Sequence, residues 1–193
     1  MPRITVTLFE GEDDEIAGWL DTRTVELAVL VDPPAGRGVL LASDAFCALL
    51  RRDHPLAGEP SVTVGDLDDD PFLLSRGGCE RHIRRLYRSA RVPFAPAHRV
   101  REMGTLLAMV RAGVGVSIVP DLAGSMLDGD LTLVPVRPRR TRRLVLAAAP
   151  DADPAAAALL AAARGRTVGP DPARSGGRAG APIDAGRNVG AAQ

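Results

Sequence analysis

Between residues 72 and 120 the apolar spacing alternates between the continuous runs of buried strands and the three-to-four spacing of helices. FLLS at 72–75 reads as a short buried strand. Two glycines follow, and then a helix from about Cys79 whose Ile83, Leu86, Tyr87 and Ala90 fall at i, i+3, i+4 and i+7. HRV at 98–100 is a second short strand. Met103, Leu106, Leu107 and Val110 repeat the helical spacing, Gly113 ends that helix, and GVSIVP forms a further strand stopped by Pro120. Strands and helices that alternate over such short connections pack as an α/β fold with parallel sheet.

The flanks extend the pattern. Ile4, Val6 and Leu8 alternate with Arg3, Thr5 and Thr7, which predicts a strand over 3–9. Ile16, Trp19 and Leu20 then take helical spacing behind the acidic turn of Asp13 and Asp14. ELAVLV at 26–31 is too short for a helix and reads as a parallel strand buried on both faces. LTLVPV (131–136) and RLVLAAA (143–149) flank an arginine-rich turn, and Pro154 opens an alanine-rich helix to about Arg164. No internal repeat is present. From Gly165 onward the chain is rich in Gly, Ala, Pro and Arg with few large aliphatics, so residues 165–193 are expected to be a disordered tail.

All 24 basic residues are arginine, and 24 acidic residues balance them to zero. That excludes a generally basic nucleic-acid binder. The tail sets four arginines against Asp171 and Asp184, which leaves the rest mildly acidic. No apolar run reaches the roughly 18–20 residues of a membrane span. The acid-rich start lacks the pattern of a secretory leader, so a cytoplasmic location and no membrane partner are expected. Cys47 and Cys79, the two cysteines, are too few for a disulfide framework or thiolate metal site.

The order EGEDDEIAGWL, VELAVL, RRDHPLAG, VTVGDLDDDPFLLSRGGCE, REMGTLLAMVRAGVGVSIVP resembles the effector-binding domain of LysR-type transcriptional regulators over about residues 3–164. The resemblance implies a type-2 periplasmic-binding-protein fold: two α/β lobes joined by two crossover strands, with a small effector in the cleft. Lobe one would be residues 1–43 plus 137–164 and lobe two 44–136, with crossovers near Ala42–Phe46 and Val136–Leu144. Family members contact DNA through an N-terminal helix-turn-helix and assemble as homodimers or homotetramers. Against the family pattern, the chain matches from the second strand of lobe one. It is therefore expected to be N-terminally truncated, with strand 3–9 short of its usual neighbour.

In the SRGGC loop, Ser75, Arg76, Gly77, Gly78 and Cys79 join a strand to a helix start, where backbone N–H groups and the helix dipole favour an anion. Taken alone it is a tight, ordinarily capped turn; the resemblance turns it toward the cleft. Met103, Gly104 and Thr105 open the next helix and can present N–H groups and a hydroxyl, although Thr105 also suits a plain helix start. Gly11 and Glu12 occupy the turn where family members place a small hydroxyl residue. A carboxylate there repels an anion, so either Glu12 points to solvent, the preferred reading, or the ligand carries a donor.

Cys79 with Arg81 and His82 nearby also fits a nucleophile or redox sensor, a reading that ranks below an inert thiol because nothing orients His82. His54 and His98 lack ligand spacing, and Gly113 and Gly115 end a helix rather than open one, which excludes a dinucleotide fingerprint. The arginines at 137, 139, 140, 142 and 143 read first as a solvated turn.

The expected function is thus effector sensing for a LysR-type regulator. The effector would be small and anionic, with no enzyme activity, no metal and no cofactor. A solute-binding protein of the same fold, a non-functional gene fragment, and an enzyme built on Cys79 are the alternatives.

Overall fold

The computed structural model describes residues 4–76 and 78–166. Gly77 and the tail from 167 onward lie outside the described residues, and with them the expectations placed there.

Helix α1 (Asp13–Asp21) leads into strand β1 (Leu27–Val31) and then into β2 (Val39–Arg51). A 3-10 turn (Pro55–Gly58) and β3 (Val62–Thr63) precede β4 (Phe72–Ser75), α2 (Glu80–Ala90), β5 (His98–Val100), α3 (Met103–Arg111) and β6 (Val116–Pro120). A second 3-10 turn (Asp121–Met126), β7 (Leu131–Arg137), β8 (Thr141–Ala148) and α4 (Pro154–Ala163) complete the described chain. The strand–helix alternation read from 72 to 120 is therefore present with its bounds nearly unchanged.

The long strand β2 organises everything else. Its first half, Val39–Ala45, pairs antiparallel with β8, and its second half, Phe46–Arg51, pairs with β6 and β7. β4 joins β6 and β5 in parallel, giving the order β1-β8-β2-β6-β4-β5. The segments 42–46 and 136–144 thus lie on or between strands that run from one group of strands to the other. Gly115 permits the parallel join: a β-carbon there would lie 2.0 Å from the Pro71 carbonyl oxygen, which accepts from Val116 N–H at 3.0 Å.

Side chains alternate across this sheet with period two. Ala48, Leu50, Leu74 and Ile118 face the same cluster as Ile83, Leu86 and Tyr87 of α2. Leu49, Leu73 and Val119 face the opposite cluster with Leu106, Leu107 and Val110 of α3. Each fully buried leucine contributes on the order of 2 kcal/mol. A smaller cluster packs Leu20 of α1 and Ala28 and Leu30 of β1 against Ala147.

Two expectations need correction. Residues 4–10 form no strand, and Ile4, Val6, Leu8 and Phe9 are exposed. Alternation gives them strand propensity, but no described strand supplies the ladder partners that an extended backbone needs. The run at 26–31 does become a strand, yet β1 pairs with β8 alone and antiparallel, and Val29 on it is exposed. Continuous apolarity signalled burial; it did not fix strand direction, because β8 returns along β2 in the opposite sense.

Candidate functional site

Three helix starts meet beside the crossover ladder. Glu12 is the N-cap of α1, where it forms a reciprocal capping box with Glu15, and Asp13 is the first residue of the helix. The loop between β4 and α2 brings Gly78 beneath Asp13: a β-carbon at 78 would stand 2.7 Å from Asp13 Oδ1. Gly78 has φ +70, a conformation glycine adopts without strain. Arg81 of α2 lies 3.8 Å from Asp13 Oδ2 and donates to the Val31 carbonyl at 2.6 Å. Arg101, just before α3, lies 3.6 Å from Glu12 and 3.9 Å from Glu15.

Burial pushes the Asp13 carboxyl above its ordinary range, a shift that the nearby guanidinium groups of Arg81 and Arg142 only partly oppose. Its carboxylate rests where the loop offers a glycine backbone and the start of α2. Glu12, expected to point to solvent, is half-buried and turned toward Arg101.

Behind this seam Asp44 and Arg142 are direct partners across the β2–β8 ladder. Arg142 donates through Nε at 2.9 Å and Nη2 at 3.3 Å to the two Asp44 oxygens. The side chains are 1% and 11% exposed, so this is a buried, bidentate pair and no solvated turn. Asp44 also accepts from Leu122 N–H at 3.4 Å, and Arg142 Nη1 lies 3.9 Å from Cys79 Sγ. Nearby, Asp32 accepts from Arg143 N–H at 2.7 Å and sits 3.4 Å from His82 Nε2. Desolvation and the charge of Arg81 lower the His82 pKa despite Asp32.

The residues singled out from sequence divide into those that meet and those that do not. Glu12 and Gly78 reach the seam; Gly11 lies beside Trp19 and Glu15 of the helix it precedes, and Ser75 is buried at the end of β4 and bonds the Cys79 thiol. Burial drives the Cys79 pKa up to about 11, with Asp44 and Asp13 adding to the rise against Arg142 and Ser75. The thiol is therefore protonated at neutral pH, not the thiolate that a nucleophile requires. Burial likewise raises Cys47 to about 12. Arg76, Gly104 and Thr105 are exposed, and Met103 packs toward the α3 core. His54 caps the first 3-10 turn through Nδ1 and meets Asp70 at 3.1 Å. Among the described residues no group of three or more His, Cys, Asp or Glu is placed to hold a metal.

Sequence reasoning missed Asp13, Arg101 and the Asp44–Arg142 pair. Asp44 did carry a signal, since it is the one charged residue in the run Val39–Leu50, where only Ser43 beside it is also polar.

The family model for the LysR substrate binding domain matches residues 1–167. The chain belongs to this family. The LysR substrate-binding domain is a module of transcriptional regulators rather than of enzymes. The chain is 32% identical over 125 residues to the Bacillus subtilis HTH-type transcriptional regulator YvbU, covering 64% of this chain and 43% of that protein. It is 30% identical over 96 residues to the HTH-type transcriptional regulator CatR of Pseudomonas putida, covering 48% and 33%. The chain thus spans less than half the length of these relatives.

The domain's fold resembles the effector binding domain of QuiR in complex with shikimate, at TM-score 0.70 and 19% identity over 81% of this chain and 78% of that one. It also resembles the Synechocystis CcmR regulatory domain in complex with 2-PG, at TM-score 0.68 and 17% identity over 79% and 78%. The architecture is the periplasmic-binding-protein-like α/β fold of LysR effector domains. No helix among the described residues is long and apolar enough to cross a membrane.

Proposed function

We propose that this LysR substrate-binding domain senses a small anionic metabolite between two lobes, residues 1–43 with 137–164 and residues 44–136. The observation that carries the reading is the Asp13 carboxylate seated on Gly78 at the start of α2. A carboxylate of the chain already occupies this position, so its backbone and nearby Arg81 suit a carboxylate or phosphate of similar size. Arg101 adds a second guanidinium on the α3 side. An incoming anion displaces Asp13, frees α1 from the loop, and so changes how the two lobes meet. Shikimate and 2-PG, in complex with QuiR and CcmR, are of this small polar class.

The domain acts as the sensing part of a homo-oligomeric cytoplasmic regulator, whose DNA contacts come from a helix-turn-helix segment outside the matched region. A thermal-shift series with shikimate, 2-PG and simple carboxylates tests the sensing role. The expected result is a concentration-dependent rise in Tm that Arg101→Ala reduces. No shift with any small anion, or a shift indifferent to Arg101, overturns it.

A further inference from the structure

A second set of arginines extends from Arg81 at the seam along α2. Arg81, Arg84, Arg85 and Arg88 line one side of α2, and with Val92 and Phe94 they enclose a groove of about 550 Å³. On the neighbouring side, Arg85 is shared with a groove of about 340 Å³ lined also by Asp32, His82, Pro138, Arg139, Arg140 and Thr141. Both volumes fall in the range of small-ligand sites.

Four cations so close together at helical spacing repel one another. Some are compensated: Glu80 pairs with Arg84, whose guanidinium also lies 4.5 Å over the Phe94 ring, and Asp13 faces Arg81. Arg85, Arg88, Arg139 and Arg140 have no carboxylate at ion-pair distance among the described residues. Arg140 donates through Nη2 to Ser89 Oγ at 3.2 Å, while its Nε is buried with no hydrogen-bond partner. The one carboxylate in the lining, Asp32, is engaged by His82 and Arg143. Four arginines without a carboxylate partner thus surround two hollows that share Arg85, and a buried donor is left unsatisfied there.

We propose that these joined grooves bind a chain of linked phosphate groups, either a free oligophosphate or the tail of a nucleotide. Guanidinium forks suit successive phosphates, each offering paired oxygens, better than a single carboxylate. Arg85, shared by both grooves, spans the junction that a single phosphate leaves half filled. The concave shape favours this occupant over the backbone of duplex DNA, which seats on an open face. Arg81 borders both the seam and the first groove, but Glu12, Gly78 and Arg101 line neither groove, and Arg85 and Arg139, the residues tested, lie outside the seam, so the proposal stands or falls separately from effector sensing.

The test is calorimetric titration of the chain at about 0.15 M ionic strength with tripolyphosphate, ATP, inorganic phosphate, adenosine and a short DNA duplex. Tripolyphosphate should bind at least about tenfold more tightly than inorganic phosphate. The double variant Arg85→Gln/Arg139→Gln should weaken it by at least about tenfold without altering the ligand-free Tm. Equal binding of tripolyphosphate and ATP identifies the free anion; tighter ATP that Phe94→Leu reduces identifies the nucleotide. Absent tripolyphosphate binding, binding untouched by the double variant, or arginine-dependent binding of the duplex alone overturns the proposal.

Discussion

Asp13 lays its carboxylate against Gly78, so that the start of α1 and the loop before α2 touch through one oxygen and a missing side chain. Gly78→Ala places a methyl group 2.7 Å from that oxygen, at a backbone conformation of φ +70. The left-handed conformation alone costs about 1–2 kcal/mol, and Asp13 must also move. Urea denaturation should show a loss of at least that size; an unchanged midpoint would mean the loop has another conformation.

Asp13 also competes with any anion for this place. Asp13→Ala should strengthen binding of small carboxylates by about 0.3–1 kcal/mol, roughly two- to fivefold. Titration of the two proteins with the same ligand measures it, and weaker binding in the variant would make Asp13 a ligand contact instead of a competitor.

The raised Asp13 pKa has a definite pH signature. The folded chain holds this proton more readily than the unfolded one, so the group's contribution to stability falls as pH rises through its raised pKa and recovers as pH drops toward the ordinary 3.8. Asp13→Asn removes that dependence. The difference in stability between wild type and variant should therefore shift in favour of wild type on going from neutral to mildly acidic pH. A constant difference would contradict the burial of this carboxyl.

Glu80 runs the other way. Burial raises its pKa, but hydrogen bonds and charge from Arg99 and Arg84 together outweigh burial and lower it. Its stabilisation is present above the ordinary glutamate range and is lost as pH falls through the lowered value. Glu80→Gln should destabilise the domain at neutral pH and converge with wild type in acid, as followed by chemical denaturation at each pH.

Removing one member of the Asp44–Arg142 pair strands the other at 1% or 11% exposure. Asp44→Ala should cost about 3–5 kcal/mol, and Asp44→Leu combined with Arg142→Met should cost clearly less. Comparable losses in the single and double variants would mean that Arg142 finds water once freed.

The lobe around β4, α2, α3 and β6 was legible because each of its elements carries a full apolar period: Ile83, Leu86 and Tyr87, or Leu106, Leu107 and Val110, need no distant information to define a buried face. The strand expected at 3–9 failed for the opposite reason, since alternation specifies a face but not a partner. The site was half legible. Gly78 announces itself as a turn glycine, but its contact with Asp13 joins residues 65 positions apart and depends on how α1 packs beside the loop before α2. Arg142 was hidden among neighbouring arginines; only its register opposite Asp44 separates it from them.

β2 passes without interruption from its pairing with β8 to its pairing with β6 and β7. A strand paired along most of its length resists folding over, because bending breaks ladder bonds, but it yields to torsion about its own axis. The two halves of the domain are therefore mounted on a torsion bar. A twist between them would be shared over several residues, and the Asp44–Arg142 pair sits near the middle of that bar.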